Sequence, residues 1–399
     1  MDRAVFINHL PLGSASNYRQ AGFAKYLRAQ GYRSELIGRA PKARASKART
    51  GRLEAEPAFE ETFFWKEPMA SRFIPNLSLL SGEAKGAEIV HVNRASPYTA
   101  TLLSLRRRPR GSALVVDMED WDGYGGYSSY ARKLGIRGWL LSAYESWFPR
   151  SADTVLVVSH LLRSHMLAMG IPEGKLFVIP NGFDEDLFHP DIDGKGIREQ
   201  YRLGDSPVVM YSSALWSFER ELHEVALGAF RIASQDFPDA KLLLTGAGDL
   251  DVKTMAKELG LGDRVVTTGF VPREQIPRLM AASDVALHVI SYHPFHQASS
   301  PMIIPEYMAM GKPIVAPRSG EIGTMLADGA GLPVDGLDPS VIASSLVRLL
   351  RDESLRRELG QKAAVRAKAM YSYRVLAARL RDAYEAARMA RSDGGRNSL

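Results

Sequence analysis

Short runs of β-branched and aliphatic residues alternate with longer amphipathic runs along almost the whole chain. In the first half, the short runs that we predict to be strands are residues 4–8, 89–93, 113–117, 154–159 and 176–180. Their apolar residues are nearly continuous, as is typical of parallel strands covered on both faces by helices. Amphipathic runs at 18–30 and 160–169 lie between them. This pattern predicts a doubly wound α/β sheet.

The same alternation begins again after a polar stretch at 185–205, which contains proline and glycine. The second series of predicted strands covers 208–212, 241–245, 264–268, 285–289 and 313–316, with predicted helices at 219–234, 250–259, 273–282 and 304–310. A chain of 399 residues is long enough for two or three domains. We therefore predict two α/β domains, 1–187 and 188–370, and a final helix with a frayed tail over 371–399.

The positive charge of the chain suits anionic partners, but no sequence motif points to nucleic acid as one of them. The net charge is +6, and basic residues cluster at 39–52 and 106–110. Such clusters suit nucleotides, phospholipid headgroups or acidic glycans, although a solvated loop explains 39–52 equally well. Zinc-finger spacing and an aromatic RNA-binding signature are both missing from the sequence.

Compartment and metal chemistry are less constrained by the sequence. The chain contains no cysteine, which excludes disulfides and thiolate metal sites. The first residues read as a strand, and no apolar run is long enough to span a bilayer. We expect a cytoplasmic protein, with peripheral contact to the inner face of the membrane left open. The aromatic stretch 139–148 suits either such contact or core packing.

Glycine-rich turns follow several predicted strands, at the edge where open α/β sheets bind ligands. The loop 12–17, which contains Gly13 and Ser14, leads into a helix and offers backbone N–H groups to a phosphate. Alternatively, Ser16 or Asn17 serves only as the N-cap of that helix. A second turn carries Gly246 and Gly248, and a third begins at Gly269. Each turn alone is weak evidence.

The segment 298–315 places a Ser-Ser-Pro turn before a helix made mainly of Tyr, Met and Ala. Such a turn at a helix N-terminus is a second candidate phosphate-binding site. Glu306 lies one turn into the helix, where an unpaired buried carboxylate would be costly. Ribose hydroxyls of a nucleotide are one partner that it could have, and a structural salt bridge is the alternative.

Carboxylates crowd the end of the predicted strand 113–117, since the next residues include Glu119, Asp120 and Asp122 beside Asp117. Neighbouring carboxylates raise one another's proton affinity, which suits proton transfer or hydroxyl binding. Their position at the carboxyl end of a strand favours function over a loop that only caps the next helix. A divalent cation bound by these groups is a less favoured alternative.

Taken in order, these segments resemble the family 4 glycosyltransferases of the group 1 type. The stretch 152–190, including Pro180-Asn181-Gly182-Phe183-Asp184, resembles the inter-domain signature of that family. Residues 305–316, Pro-Glu-Tyr-Met-Ala-Met-Gly-Lys-Pro-Ile-Val-Ala, resemble its donor-site helix and the strand that follows. The segments 241–248, 269–272 and 282–285 fall in the expected order before that helix. The resemblance covers nearly the whole chain.

The resemblance implies the GT-B architecture, in which two Rossmann-like doubly wound domains face a central cleft. It also implies a retaining transfer, of hexosyl or related groups, from a nucleotide-diphosphate sugar to a glycan, lipid-linked or small-molecule acceptor. No metal and no cofactor beyond this co-substrate are implied. The donor-binding residues implied by the resemblance are Gly13, Ser14, Gly246, Gly248, Gly269, Phe270, Ser299, Ser300, Pro301, Met302, Ile303 and Glu306.

Three positions depart from the family pattern. Ala298 stands where a glutamate is usual, and the usual basic pair after strand 208–212 is out of register, which leaves Arg220 as the nearest phosphate-binding cation. Glu119 stands where the family has histidine, and we assign Glu119 and Asp120 as catalytic candidates.

Ala298 and the missing basic pair keep a second hypothesis open, a non-catalytic sugar-nucleotide or glycan-binding protein of the same fold. A third hypothesis, an NAD-dependent oxidoreductase, requires a Gly-x-Gly-x-x-Gly turn after the first strand. The sequence from Gly13 to Asn17 does not provide that turn.

Overall fold

The computed structural model describes residues 2–40, 57–67, 69–105, 111–132, 135–246 and 248–396. Most of the basic cluster 39–52 and all of the cluster 106–110 lie outside these ranges. The chain divides into two compact units. The first unit comprises Met1–Asn181, Ala298–Ser300 and Tyr373–Leu399, and the second comprises Gly182–Gln297 and Pro301–Ser372.

The first unit is built on a seven-stranded parallel sheet with the order β3-β2-β1-β4-β5-β6-β7. Its strands are β1 Asp2–Pro11, β2 Tyr32–Arg39, β3 Glu61–Phe64, β4 Ile89–Asn93, β5 Ala113–Met118, β6 Thr154–Val157 and β7 Leu176–Val178. The helices between them are α1 Ala15–Arg28, α2 Phe73–Glu83, α3 Pro97–Leu105, α4 Tyr127–Tyr130, α5 Ile136–Trp147 and α6 His160–Ala168.

Both faces of this sheet are covered, as the continuous apolar runs predict. Along β1, Val5 and Ile7 belong to one apolar cluster and Ala4 and Phe6 to another, because successive side chains of a strand point to opposite faces. Strands β4 and β5 are buried along their whole length. The strand ends of β4 and β5 are therefore placed by packing on both sides.

The second unit contains a six-stranded parallel sheet with the order β10-β9-β8-β11-β12-β13. Its strands are β8 Val208–Ser212, β9 Lys241–Thr245, β10 Val265–Gly269, β11 Val285–Leu287, β12 Ile314–Pro317 and β13 Leu332–Val334. The helices from residue 195 onward are α7 Lys195–Gln200, α8 Arg220–Asp236, α9 Val252–Glu258, α10 Ile276–Ala281, α11 Pro294–Ala298, α12 Ile303–Ala309, α13 Ile322–Met325, α14 Pro339–Arg351 and α15 Glu353–Met370.

The last helix, α16 Tyr373–Arg396, packs in the first unit. Its Leu376, Leu380 and Tyr384 are fully buried in the same apolar cluster as Phe6 and Phe23. Gly22 of α1 faces Tyr373, and any Cβ at position 22 would clash with that ring. A glycine is therefore required where the two helices meet.

The observed strands confirm the prediction of two doubly wound sheets, and three strands had no counterpart in the sequence-based prediction. These three are β2, β3 and β13. Among the described residues, no helix combines the length and apolar character needed to cross a bilayer.

Candidate functional site

Glu119 lies directly after β5 and is almost fully buried. The Ser16 hydroxyl donates a hydrogen bond to Glu119 Oε2 at 2.5 Å, and Asn93 Nδ2 donates to Oε1 at 2.5 Å. Ser16 comes from the first turn of α1 and Asn93 ends β4, so parallel strand order brings three distant segments together. Sequence reasoning did not select Asn93, although it also ends a predicted strand.

The glycine loop lies beside Glu119 in the first unit. Ser14, and not Ser16 or Asn17, is the N-cap of α1, since Ser14 Oγ accepts from Asn17 N at 3.3 Å. Asn17 Oδ1 accepts in turn from Gly13 N at 3.2 Å. The predicted residues Gly13 and Ser14 are thus connected to Glu119 through their neighbours on the same helix turn.

The pKa of the Glu119 carboxyl is raised to about 7. Burial is the main cause, and the negative charge of Asp117 adds to it, whereas Arg94 and Arg19 oppose the shift. A carboxyl group with this pKa populates both protonation states near neutral pH. It is therefore suited to exchange a proton with a hydroxyl group.

Asp120, the other catalytic candidate, has different surroundings. It forms an ion pair with Arg94, whose Nη1 also donates to Asp122 Oδ1 at 3.1 Å. Arg94 adopts a left-handed backbone conformation with φ 59°, and its amide donates to Asp117 O at 2.9 Å. Arg94 is therefore the guanidinium partner of Asp120, whereas the nearest ion pair of Glu119 is with Arg19, at 3.9 Å.

A fully buried arginine, Arg19, lies beneath this carboxylate cluster. Its Nε and Nη2 donate to the two oxygens of Asp117 at 2.8 and 3.2 Å. The remaining N–H groups donate to Ile179 O, Pro180 O and Asn181 Oδ1. Burial raises the pKa of the Asp117 carboxyl, but Arg19 and His91 together outweigh burial and hold that pKa well below its usual range.

Sequence reasoning missed Arg19. The available signal was its position one turn before Phe23, on the apolar face of a helix where an arginine needs a buried partner. His91 is a fully buried core residue, as predicted; its Nδ1 lies 2.8 Å from the Tyr384 hydroxyl, and its Nε2 lies 3.4 Å from Asp117 Oδ2.

The raised pKa of Glu119 predicts how stability changes with pH. The folded-state value of about 7 exceeds the ordinary value of 4.5, so folding favours the protonated form. The stabilisation is complete below about pH 4.5 and is lost as the pH rises through about 7, a difference of roughly 3 kcal/mol. Glu119→Gln should therefore lose less stability than the wild type between about pH 5 and 8. Urea denaturation midpoints measure this, and parallel pH profiles of the two proteins would contradict it.

In the second unit, two glycine turns meet at the carboxyl ends of the neighbouring strands β9 and β10. A Cβ at Gly246 or Gly248 would clash with the backbone oxygen of Ser213 or Leu215, respectively. Gly246 N also donates to Gly269 O at 3.2 Å. The predicted residues Gly246, Gly248 and Gly269 therefore lie together, and close backbone approach explains why the first two are glycines.

Phe270 and Glu306 complete this neighbourhood. Phe270 follows β10 and is 77% exposed, so it is not a core residue. Glu306 is buried on α12 and pairs with Arg273 at 2.5 Å. Burial raises the pKa of Glu306, and Arg273 opposes the shift. This salt bridge is the structural alternative that the sequence left open, and it leaves the donor role of Glu306 a prediction.

Some of the remaining donor-site candidates belong to the first unit and the others to the second. Ser299 and Ser300 belong to the first unit, where Ser300 Oγ accepts from Asn181 N at 3.1 Å. Pro301, Met302 and Ile303 belong to the second unit, where Met302 is the N-cap of α12 and Ile303 is its first residue. Arg220 begins α8, is half exposed and pairs with Glu224 one turn later at 2.8 Å. Their contacts with a donor remain predictions.

Ala298, the residue that replaces the usual glutamate, is fully buried in the apolar cluster of the first unit. Its carbonyl accepts from the Ser159 hydroxyl at 2.6 Å. Within the ranges that the structure describes, no group of three or more His, Asp or Glu side chains is arranged to hold a metal ion.

Two family models match this chain consecutively. The model of the glycosyl transferase 4-like domain matches residues 15–182, and that of the group 1 glycosyl transferases matches residues 195–366. This chain belongs to the group 1 glycosyltransferases. The resemblance stated from the sequence is thereby confirmed.

Curated group 1 glycosyltransferases and their relatives match part of the chain. The GDP-mannose-dependent alpha-(1-6)-phosphatidylinositol monomannoside mannosyltransferase of Mycolicibacterium smegmatis is 31% identical over 60% of this chain and 64% of its own length. The N-acetyl-alpha-D-glucosaminyl L-malate synthase of Bacillus anthracis is 26% identical over 53% of this chain and 54% of its own length. The matches thus span about half to two-thirds of these relatives.

Solved structures match the fold over nearly the whole chain. The sucrose-phosphate synthase of Thermosynechococcus elongatus has a TM-score of 0.74 at 19% identity, covering 96% of this chain and 98% of that one. Anabaena HepE, solved with UDP and glucose, has a TM-score of 0.73 at 19% identity, covering 96% of this chain and 99% of that one. This group 1 glycosyltransferase has the two-domain GT-B fold, as predicted.

Proposed function

We propose that the protein transfers a sugar from a nucleotide-diphosphate donor to an acceptor hydroxyl, with retention at the anomeric carbon. The observation that carries the proposal is the consecutive match to both glycosyltransferase models over 15–182 and 195–366. The carboxyl-end positions of the glycine turns and of Glu119 are consistent with it.

The donor is proposed to bind the second unit. There the turn of Gly246 and Gly248 packs against neighbouring backbone, and Gly269 has open space beside the exposed ring of Phe270, which suits a flat nucleobase. Arg220 begins α8, so its charge and the end of that helix are suited to a leaving diphosphate without a metal or other cofactor. The first unit is proposed to contribute Gly13 and Ser14 to donor binding and Glu119 and Asp120 to the chemistry.

The acceptor is proposed to be a glycan, a lipid-linked molecule or a small hydroxyl compound. The relatives include a phosphatidylinositol monomannoside mannosyltransferase, an N-acetyl-alpha-D-glucosaminyl L-malate synthase and a D-inositol 3-phosphate glycosyltransferase. Anionic polyols and hydroxy acids are therefore the first acceptors to try, and the net charge of +6 suits them.

The donor is tested by thermal unfolding with a panel that includes GDP-mannose, UDP-glucose, free nucleotides and NAD. A ligand that binds only the folded state raises the melting temperature by mass action. We expect a shift with one diphosphate sugar. A shift with NAD alone would contradict the proposal.

Catalysis and stereochemistry are tested with the donor that shifts the melting temperature. Transfer to a hydroxyl acceptor or donor hydrolysis should be detectable, and NMR of the product should show the anomeric configuration of the donor. Inverted product would overturn the retaining assignment and leave the transferase assignment in place. Donor binding without transfer or hydrolysis would indicate a non-catalytic protein.

Glu306→Gln is expected to weaken donor binding about 10- to 100-fold, because a charged acceptor for ribose hydroxyls is lost. The amide can still accept a hydrogen bond from Arg273, which limits the structural damage. Isothermal titration with the donor measures the change, and Glu258→Gln, at an exposed position of α9, is the matched control. A lower melting temperature with unchanged donor affinity would assign Glu306 to the salt bridge alone.

A further inference from the structure

Helix α5 of the first unit presents an apolar face to solvent. Ile136, Trp139, Leu140 and Trp147 are 77%, 59%, 36% and 47% exposed, respectively. Their spacing of three, four and eleven residues places them on one side of the helix, and we call them the α5 stripe. Two of the five tryptophans of the chain, Trp139 and Trp147, are therefore exposed on the same side of α5 and are not packed in the core.

The buried side of α5 carries the only acidic residue of that helix. Glu145 is 1% exposed, and its two carboxylate oxygens accept from Asp122 N at 2.9 Å and Gly123 N at 3.0 Å. At these positions the usual arrangement of a surface helix, with apolar residues inward and charges outward, is reversed. No carboxylate of α5 faces solvent beside the stripe.

The sequence that flanks the stripe is basic. The segment 132–150 contains Arg132, Lys133, Arg137 and Arg150 but only one acidic residue, the buried Glu145. Arg132 and Arg150 are exposed, and they stand before and after α5. Helix α3 packs against α5, with Thr101 Oγ1 2.7 Å from the Tyr144 hydroxyl, and the basic run 106–110 follows α3 in the sequence.

We propose that the α5 stripe docks on the surface of an anionic phospholipid bilayer, with α5 lying parallel to the membrane plane. Tryptophan side chains favour the headgroup region because one edge of the indole is polar, and basic residues are attracted to anionic headgroups. An exposed apolar face with basic flanks is the pattern of a helix that lies in this interface.

Charge also argues against a second copy of the chain as the occupant. A symmetric dimer through the stripe would bring the exposed Arg132 and Arg150 of two copies towards one another, which is unfavourable. The proposal goes beyond the sugar transfer and does not depend on it, because the stripe contains none of the residues assigned to donor or acceptor chemistry.

Vesicle flotation of the full chain tests the proposal. The probes are vesicles of phosphatidylcholine alone and vesicles in which half of the lipid is phosphatidylglycerol. We expect binding to the anionic vesicles to exceed binding to the neutral ones by about tenfold or more, and to weaken at high salt. Vesicles containing brominated lipid should quench tryptophan fluorescence in the wild-type protein, which gives a measurement that needs no variant.

The double variant Trp139→Ser/Trp147→Ser should lower vesicle binding by at least about tenfold, because the apolar area that both indoles would bury in the bilayer is lost. The matched control, Val341→Ser/Val365→Ser, removes two exposed apolar side chains of the second unit and should bind like the wild type. Circular dichroism checks that each variant is folded.

Absence of wild-type binding to anionic vesicles would overturn the proposal. So would equal binding by the tryptophan double variant, or equal loss in the valine control. If sedimentation velocity instead shows a wild-type dimer that the tryptophan variant loses, without vesicle binding, the stripe is a self-association surface and the proposal is wrong.

Discussion

Arg19→Met is expected to lower the free energy of unfolding of the first unit by about 3–5 kcal/mol, since removal of one partner of a buried ion pair leaves an uncompensated charge. Arg19 and Asp117 are both fully buried and joined through two hydrogen bonds. The substitution also removes the donors to Ile179 O and Pro180 O. Urea denaturation, followed by circular dichroism, measures the change.

Two further variants make this expectation specific. Arg19→Met/Asp117→Leu should be less destabilised than the single variant, because replacing both members of a buried pair with apolar residues is far less costly than removing one. Arg28→Met removes an exposed pair with Glu60 and should change stability by less than about 1 kcal/mol. Equal effects of Arg19→Met and Arg28→Met would show that Arg19 does not organise the cluster.

Glu119→Gln is expected to lower kcat by about 10²–10⁴-fold, the range for losing a group that transfers a proton. The carboxyl group has a pKa of about 7 and lies among Ser16, Asn93 and the glycine loop. Asp120→Asn is a second test, since Asp120 is the other catalytic candidate. Glu173→Gln, at an exposed position of the same unit, is the matched control. Full turnover in Glu119→Gln and Asp120→Asn would remove both assignments.

The pH profile separates catalysis by Glu119 from a structural role. If ionised Glu119 accepts a proton, kcat/KM of the wild type should fall as the pH drops below about 7. If protonated Glu119 donates one, kcat/KM should fall as the pH rises above that value. In Glu119→Gln, the pH dependence seen near pH 7 in the wild type should be missing. If the role of Glu119 is only structural, the variant should keep that pH dependence.

The buried strands were predictable because their apolar runs are continuous, and the three missed strands lack that signal. β2 includes Arg33 and Glu35, and Glu35 is buried only because Arg3 and Arg33 pair with it. β3 has four residues and β13 has three, one of them Pro333. Short or polar strands depend on their neighbours in the sheet, which the local sequence does not reveal.

The candidate site was predictable where it lies at strand ends. Glu119 and the glycine turns follow predicted strands, and the carboxyl edge of a parallel sheet collects such residues. The partners of these residues were not predictable, because Ser16 contacts Glu119 across 103 residues of sequence and Arg273 contacts Glu306 across 33. Such pairs depend on strand order and helix packing, which periodicity alone does not determine.

The position of α16 bears on how the protein is synthesised. Strand β7, the last strand of the first sheet, ends at Val178, whereas α16 begins at Tyr373. Until α16 has emerged from the ribosome, Phe6 and Phe23 lack the apolar side chains of α16 that pack in their cluster. His91 also lacks its Tyr384 partner. The apolar surface of the nascent first unit on which α16 packs therefore stays exposed while the second unit is translated. Chaperones that bind such surfaces have their longest access to this protein during that interval.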